Sequence, residues 1–133
     1  KVVAIGSQVL NSEALYENYA QYPCERERLL EAITREGIKN VVFVTGDRHH
    51  SELSKLEKNG IVLYDITASP LSSKVGNNRD NEKNRNRVEG SLQLKRGFAT
   101  LDVRGDRKNR ELVLQFNDSN GQLLYEQIIP RQP

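Results

Sequence analysis

Along the chain, short β-branched runs and one helical stretch come first, and the period then changes to strict alternation. Val2 to Ile5 is a compact apolar run that predicts a first strand. Pro23 pre-sets the first turn of a helix whose apolar residues Leu29, Leu30 and Ile33 recur at helical spacing until Gly37 ends it. Ile38 to Thr45, dominated by valine, predicts a second strand buried in a sheet. A strand, a helix and a strand in that order imply a parallel pair with a right-handed crossover. The turn residues Asn59-Gly60 lead into a third strand, Ile61 to Thr67.

From Gly97 onward the pattern is that of an antiparallel meander: Gly97 to Val103, Glu111 to Asn117 and Gln122 to Ile129, with turns at Arg104-Gly105-Asp106 and Ser119-Asn120-Gly121. Leu112, Leu114 and Phe116 alternate with Val113 and Gln115, so one face is buried and the other partly wet. The fold class is α/β, with the meander flanking the α/β unit in a sandwich of sheets and helices. A single partial domain spans 1–133, divided into an α/β unit (1–71), a polar basic loop (72–96) and the meander (97–130).

Composition narrows the function classes. Hydrophobic residues at 36% and charged residues at 29% describe a globular piece, and no apolar run is long enough to cross a bilayer, so no membrane partner is expected. The single cysteine, Cys24, rules out an internal disulfide and, with no histidine near it in sequence, reads as a plain residue at a helix start rather than a nucleophile. A net charge of +2 argues for neither nucleic acid nor anionic membrane. The charge is uneven, however. Between Ser72 and Arg96 seven basic residues (Lys74, Arg79, Lys83, Arg85, Arg87, Lys95, Arg96) face three acidic ones (Asp80, Glu82, Glu89), which gives +4. With asparagines interleaved and almost nothing apolar, this stretch reads as a long solvated insertion, or as a flap that draws an anion to a nearby site. It has no aromatic residue for base stacking, so nucleic acid is not the expected partner.

The densest chemistry follows the second strand: Gly46-Asp47-Arg48-His49-His50-Ser51-Glu52, which holds both histidines of the chain. Gly46 allows a sharp turn, and Asp47 and His49 then offer a hard oxygen and a borderline nitrogen ligand at the carboxyl end of a strand, where open α/β sheets place their sites. Taken singly, an Asp after Gly is a turn former or helix cap, and a lone His a surface or hydrogen-bonded residue. The cluster as a whole points to a functional site, because so many polar groups rarely follow a buried strand without a use for them. Ser69, before Pro70, reads as a turn former with no base placed beside it.

The same segment resembles the last metal-binding motif of the calcineurin-like metallophosphoesterases in the form it takes in the alkaline phosphatase D (PhoD-like) branch, Gly-Asp-x-His, here Gly46, Asp47 and His49. The order of motifs adds to the likeness. Lys1 to Leu10, with Gln8, is similar to that branch's strand and Gln-containing turn; Tyr22-Pro23-Cys24-Glu25-Arg26 is similar to its helix start; Asp65 to Leu71 is similar to its strand and Ser-Pro turn.

The resemblance implies the C-terminal part of an αββα sandwich with a two-metal site (calcium, iron, manganese or zinc) that hydrolyses phosphate monoesters or diesters. It implies Asp47 and His49 as metal ligands, His50 and Arg48 as catalytic groups on the leaving alkoxide and the phosphate, and Gln8 at the substrate or a metal-bound water. Glu52 would orient a ligand histidine from behind. Gln8 stands where the wider superfamily has a histidine, which leans the site toward oxygen-preferring ions such as calcium or manganese; capping backbone groups at a strand end is an equal reading. No Asp-x-His, Gly-Asp or Gly-Asn-His motif precedes residue 46, so the chain reads as a piece lacking the N-terminal half of its domain and inactive alone. A periplasmic or secreted location follows from the resemblance only. The rival expectation is a non-catalytic, truncated module that folds, with a second copy covering its open sheet edge as a homo-oligomer.

Overall fold

The computed structural model describes residues 1–77 and 81–133; Asn78, Arg79 and Asp80, counted above in the basic loop, lie outside the described residues. Among the described residues, seven strands and one α-helix form a mixed α/β fold: β1 (Val2–Ala4), α1 (Pro23–Arg35), β2 (Val41–Thr45), β3 (Glu52–Lys58), β4 (Ile61–Thr67), β5 (Gly97–Arg104), β6 (Glu111–Asp118) and β7 (Leu123–Pro130). Among the described residues no helix is long and apolar enough to cross a membrane.

The first sheet has the order β1-β2-β4-β3, with β1, β2 and β4 parallel and β3 antiparallel to β4. Pro23 opens α1, and the helix closes in a Schellman motif: the Gly37 amide bonds the Thr34 carbonyl at 3.2 Å and the Ile38 amide bonds the Ile33 carbonyl at 2.9 Å, with Gly37 at φ +65°. The second sheet is the meander β5-β6-β7.

Strand pleating sends alternate residues to opposite faces, and both faces of the first sheet are covered. Val41 and Phe43 of β2 join Ile61 and Leu63 of β4 against Leu30 and Ile33 of α1. Val42 and Ile66, with Leu53 of β3, pack against Leu114, Phe116 and Ile129 of the meander. Fully burying each such aliphatic side chain contributes about 1.5–3 kcal/mol, so these two seams hold helix, sheet and meander together.

Two expectations change. Strand β3 was not legible as a strand, because Leu53 and Leu56 are its only large apolar residues while Glu52 and Ser54 occupy buried positions. The polar loop is also not simply solvated. Its second half lies along β3: the Lys55 amide donates to the Asn86 carbonyl at 2.7 Å, the Val88 amide to the Leu53 carbonyl at 2.8 Å, and Gln93 and Ser51 exchange bonds of 2.7 and 3.0 Å. An edge strand exposes a row of unsatisfied donors and acceptors, and this segment supplies their partners.

Candidate functional site

The site begins where β2 ends. Asp47 at φ +67° and His49 at φ +58° both occupy the left-handed region, which Asp and His tolerate better than most residues. The turn therefore alternates. Asp47 is exposed and His49 partly exposed, whereas Arg48 is 2% exposed and His50 is 0% exposed. One side of the motif faces a cleft and the other faces the interior.

The cleft has a volume of about 770 Å³ and is lined by Asp47 and His49, by Tyr16 and Glu17 from the segment before α1, and by Lys74 and Gly76 from the start of the loop. A short strap grips His49 here: its Nδ1 lies 2.7 Å from the Lys74 carbonyl oxygen, and the Gly76 amide donates to the His49 carbonyl at 2.8 Å. A carbonyl oxygen only accepts, so Nδ1 carries a proton and is the donor in this bond, which fixes the ring with Nε2 pointing away from the strap. A third tie runs from the His49 amide to Ser69 Oγ at 3.3 Å, which gives the Ser-Pro turn its part in shaping the site.

Beneath the motif the helix-side face of the sheet turns from apolar to polar. Thr45, Glu52, Ser54, Asp65 and Thr67 are all buried there. Glu52 accepts from Gln8 Nε2 at 2.6 Å, from Asn84 Nδ2 at 3.0 Å and from the Arg87 guanidinium, and His50 Nε2 stands 3.4 Å from it. That last separation is an ion-pair distance without hydrogen-bond geometry, since His50 Nε2 has no hydrogen-bond partner among the described residues. Burial alone pushes the Glu52 carboxyl up, but contact with His50 and Arg87 wins and brings it down to about 2. Asp65 goes the other way. Its carboxylate accepts the Val9 and Leu10 amides at 2.7 and 2.9 Å and the Thr45 hydroxyl at 2.8 Å, yet burial outweighs these bonds and the nearby Glu52 adds to it, raising the carboxyl to about 6.

Of the residues expected at the site, the structure brings Asp47 and His49 together at the cleft. Gln8 is elsewhere: it is 1% exposed, with Nε2 shared between Glu52 and Thr67 and Oε1 accepting from Asn11 at 2.9 Å, so it joins strand ends rather than facing a substrate. His50 is enclosed, its Nδ1 3.0 Å from the Arg48 carbonyl oxygen. Arg48 forms an enclosed ion pair with Glu82. His50 is thus enclosed, whereas Arg48, though buried, is also among the residues that border the cleft. Glu52 does lie behind a histidine, but the histidine is His50. Cys24 is exposed and free.

As a metal site the turn is incomplete. Among the described residues no three His, Cys, Asp or Glu side chains come together as an ion would need. Asp47 and His49 are donors of the right kind but short of the four or more ligands that zinc, calcium or manganese take.

A family model described as PhoD-like phosphatase matches residues 5–118. No curated protein matches the chain. Among solved structures, the chain is similar to GAP50, described as the anchor in the inner membrane complex of Plasmodium, with a TM-score of 0.62 at 17% identity over 99% of this chain. The chain spans 36% of that protein's length. At this identity the likeness shows a shared fold.

Proposed function

This chain belongs to the PhoD-like phosphatase family, and on that footing we propose that it is the C-terminal part of a metal-dependent enzyme that hydrolyses phosphate esters. Asp47 and His49 would be two of the ligands of its two-metal centre, the others coming from the rest of the domain. Bound ions in such a centre stabilise the phosphate oxygens and activate a water. The observation that carries this reading is the state of His49. A histidine that ligates a metal usually gives its other ring proton to a carbonyl or carboxylate, and His49 gives its Nδ1 proton to Lys74 at 2.7 Å while standing beside Asp47 in the cleft.

The other residues then take different parts. Lys74 lines the cleft and its ammonium group adds positive charge for an anionic ester. Arg48 and His50 are both buried and would hold the turn, with Arg48 also bordering the cleft. Elemental analysis of the complete enzyme tests the assignment. Asp47→Asn and His49→Ala should lower bound metal together with rate, whereas His50→Ala should retain metal. If His49→Ala kept its full complement while His50→Ala lost it, the ligand assignment would be wrong.

A second reading is a non-catalytic module that folds or associates without turnover. The enclosure of His50 and Arg48 favours it, because two groups expected to be catalytic are kept from solvent. Its mark would be a complete protein with intact Asp47 and His49 that neither binds metal nor hydrolyses phosphate esters.

A further inference from the structure

Among the described residues, the buried Arg48–Glu82 pair is a polar interaction that the proposed chemistry leaves without a task. Its side chains are 1% and 3% exposed, and they join the ligand turn to a loop residue 34 positions away. Arg48 Nη1 also donates to the Leu15 carbonyl at 3.0 Å, and the guanidinium lies 5.2 Å from the centroid of the Tyr16 ring. On the other side Glu82 Oε1 accepts from Asn11 Nδ2 at 3.3 Å, and the same Asn11 amide reaches Gln8 at 2.9 Å. The planar guanidinium suits this task, since it can bond several partners in fixed directions where an ammonium would act as a single point charge.

A buried ion pair is a poor device for stability, because desolvation cancels most of the attraction and apolar residues of similar size often serve as well. It does fix geometry. Asp47 and His49 flank Arg48 and both hold left-handed backbone angles. Anchoring the middle side chain inward directs its two neighbours outward. We propose that Glu82, acting through Arg48, is a positioning residue for the ligand turn: the polar loop, by docking against β3, carries a buried carboxylate under the motif and sets the orientation of Asp47 and His49. The relevance to metal binding rests on the proposed function, but the geometric claim does not.

The test uses this chain without metal. Long-range imidazole nitrogen correlations report the tautomer of His49, and amide exchange at Gly76 reports the strap. Glu82→Gln keeps an acceptor of the same shape for the guanidinium but strands its charge, so it should lower overall stability while His49 keeps its Nδ1–H tautomer. The double variant Arg48→Met with Glu82→Leu leaves no orphan charge in the interior; with its core amides still protected, it should show a mixture of His49 tautomers and Gly76 exchange about tenfold or more faster. A double variant with a single Nδ1–H tautomer and an unchanged Gly76 rate would overturn the proposal. Should that variant not fold, Arg48→Lys decides: it keeps the charge but not the fork, so a loosened His49 supports the lock and an unchanged one refutes it. Failure of the complete wild-type enzyme to load metal would sink the functional reading while leaving these readouts as they are.

Discussion

Asp65 and Glu52 share one buried face of the first sheet and are pushed in opposite directions, which gives the chain a legible response to acid. Asp65 is raised to about 6, so the folded chain holds that proton more tightly than the unfolded chain does. Its contribution to stability is full below about pH 4, the ordinary Asp value, and is lost as the pH rises through about 6. Glu52 is brought down to about 2, so its contribution is full above about pH 4.5 and is lost as the pH falls toward 2. Replacing Asp65 with Asn should therefore remove the loss of stability between about pH 4 and pH 6, because an amide can still accept the Val9 and Leu10 amides without carrying charge. Thermal midpoints measured across that window check this; a variant whose profile follows the wild type would show that Asp65 is not the titrating group. Glu52→Gln has a different cost, since it strands the Arg87 guanidinium beside His50. Denaturant titration at neutral pH should show a loss on the order of 3 kcal/mol.

At the scale of elements, a strand is legible when its buried positions are apolar, as in β2 and β4, and α1 is legible because Pro23 and Gly37 bracket its apolar spacing. Strand β3 was hidden because its buried ends carry Glu52 and Ser54, residues that composition assigns to solvent. Asp47 and His49 could be picked out because residue type and place, just past a buried strand, agree. Glu82, Asn84 and Lys74 could not. Their importance depends on where the loop returns, and nothing local to them encodes a contact with a turn some 30 residues earlier. The same return path determines where a protease should reach the loop. Lys74 is exposed, whereas the backbone around Arg87 is bonded to Asn84 and Leu53. Brief trypsin treatment, with fragments weighed by mass spectrometry, should cut after Lys74 well before Arg87. First cleavage at Arg87 would mean that the docking on β3 is not maintained in solution.

For the molecule as a whole, the two seams cover both faces of the first sheet, but only one of its two edges is closed. β3 is covered by the loop, but among the described residues β1 pairs only with β2, and Val2 is 63% exposed on it. A free edge with exposed valines invites another strand, so the isolated chain should associate as its concentration rises, and Val2→Lys should reduce this in sedimentation experiments. The same openness bears on catalysis. A two-metal hydrolase needs ligands around both ions, and the turn after β2 offers one carboxylate and one imidazole. We therefore expect this chain alone, assayed on an activated aryl phosphate with excess calcium, manganese or zinc, to turn over far below the roughly 1 s⁻¹ of an ordinary enzyme. Turnover at that rate, retained through rigorous repurification and abolished by His49→Ala, would mean that the chain completes a metal centre by itself, most simply by pairing two copies across the open β1 edge. Val2→Lys would then have to reduce activity and association together.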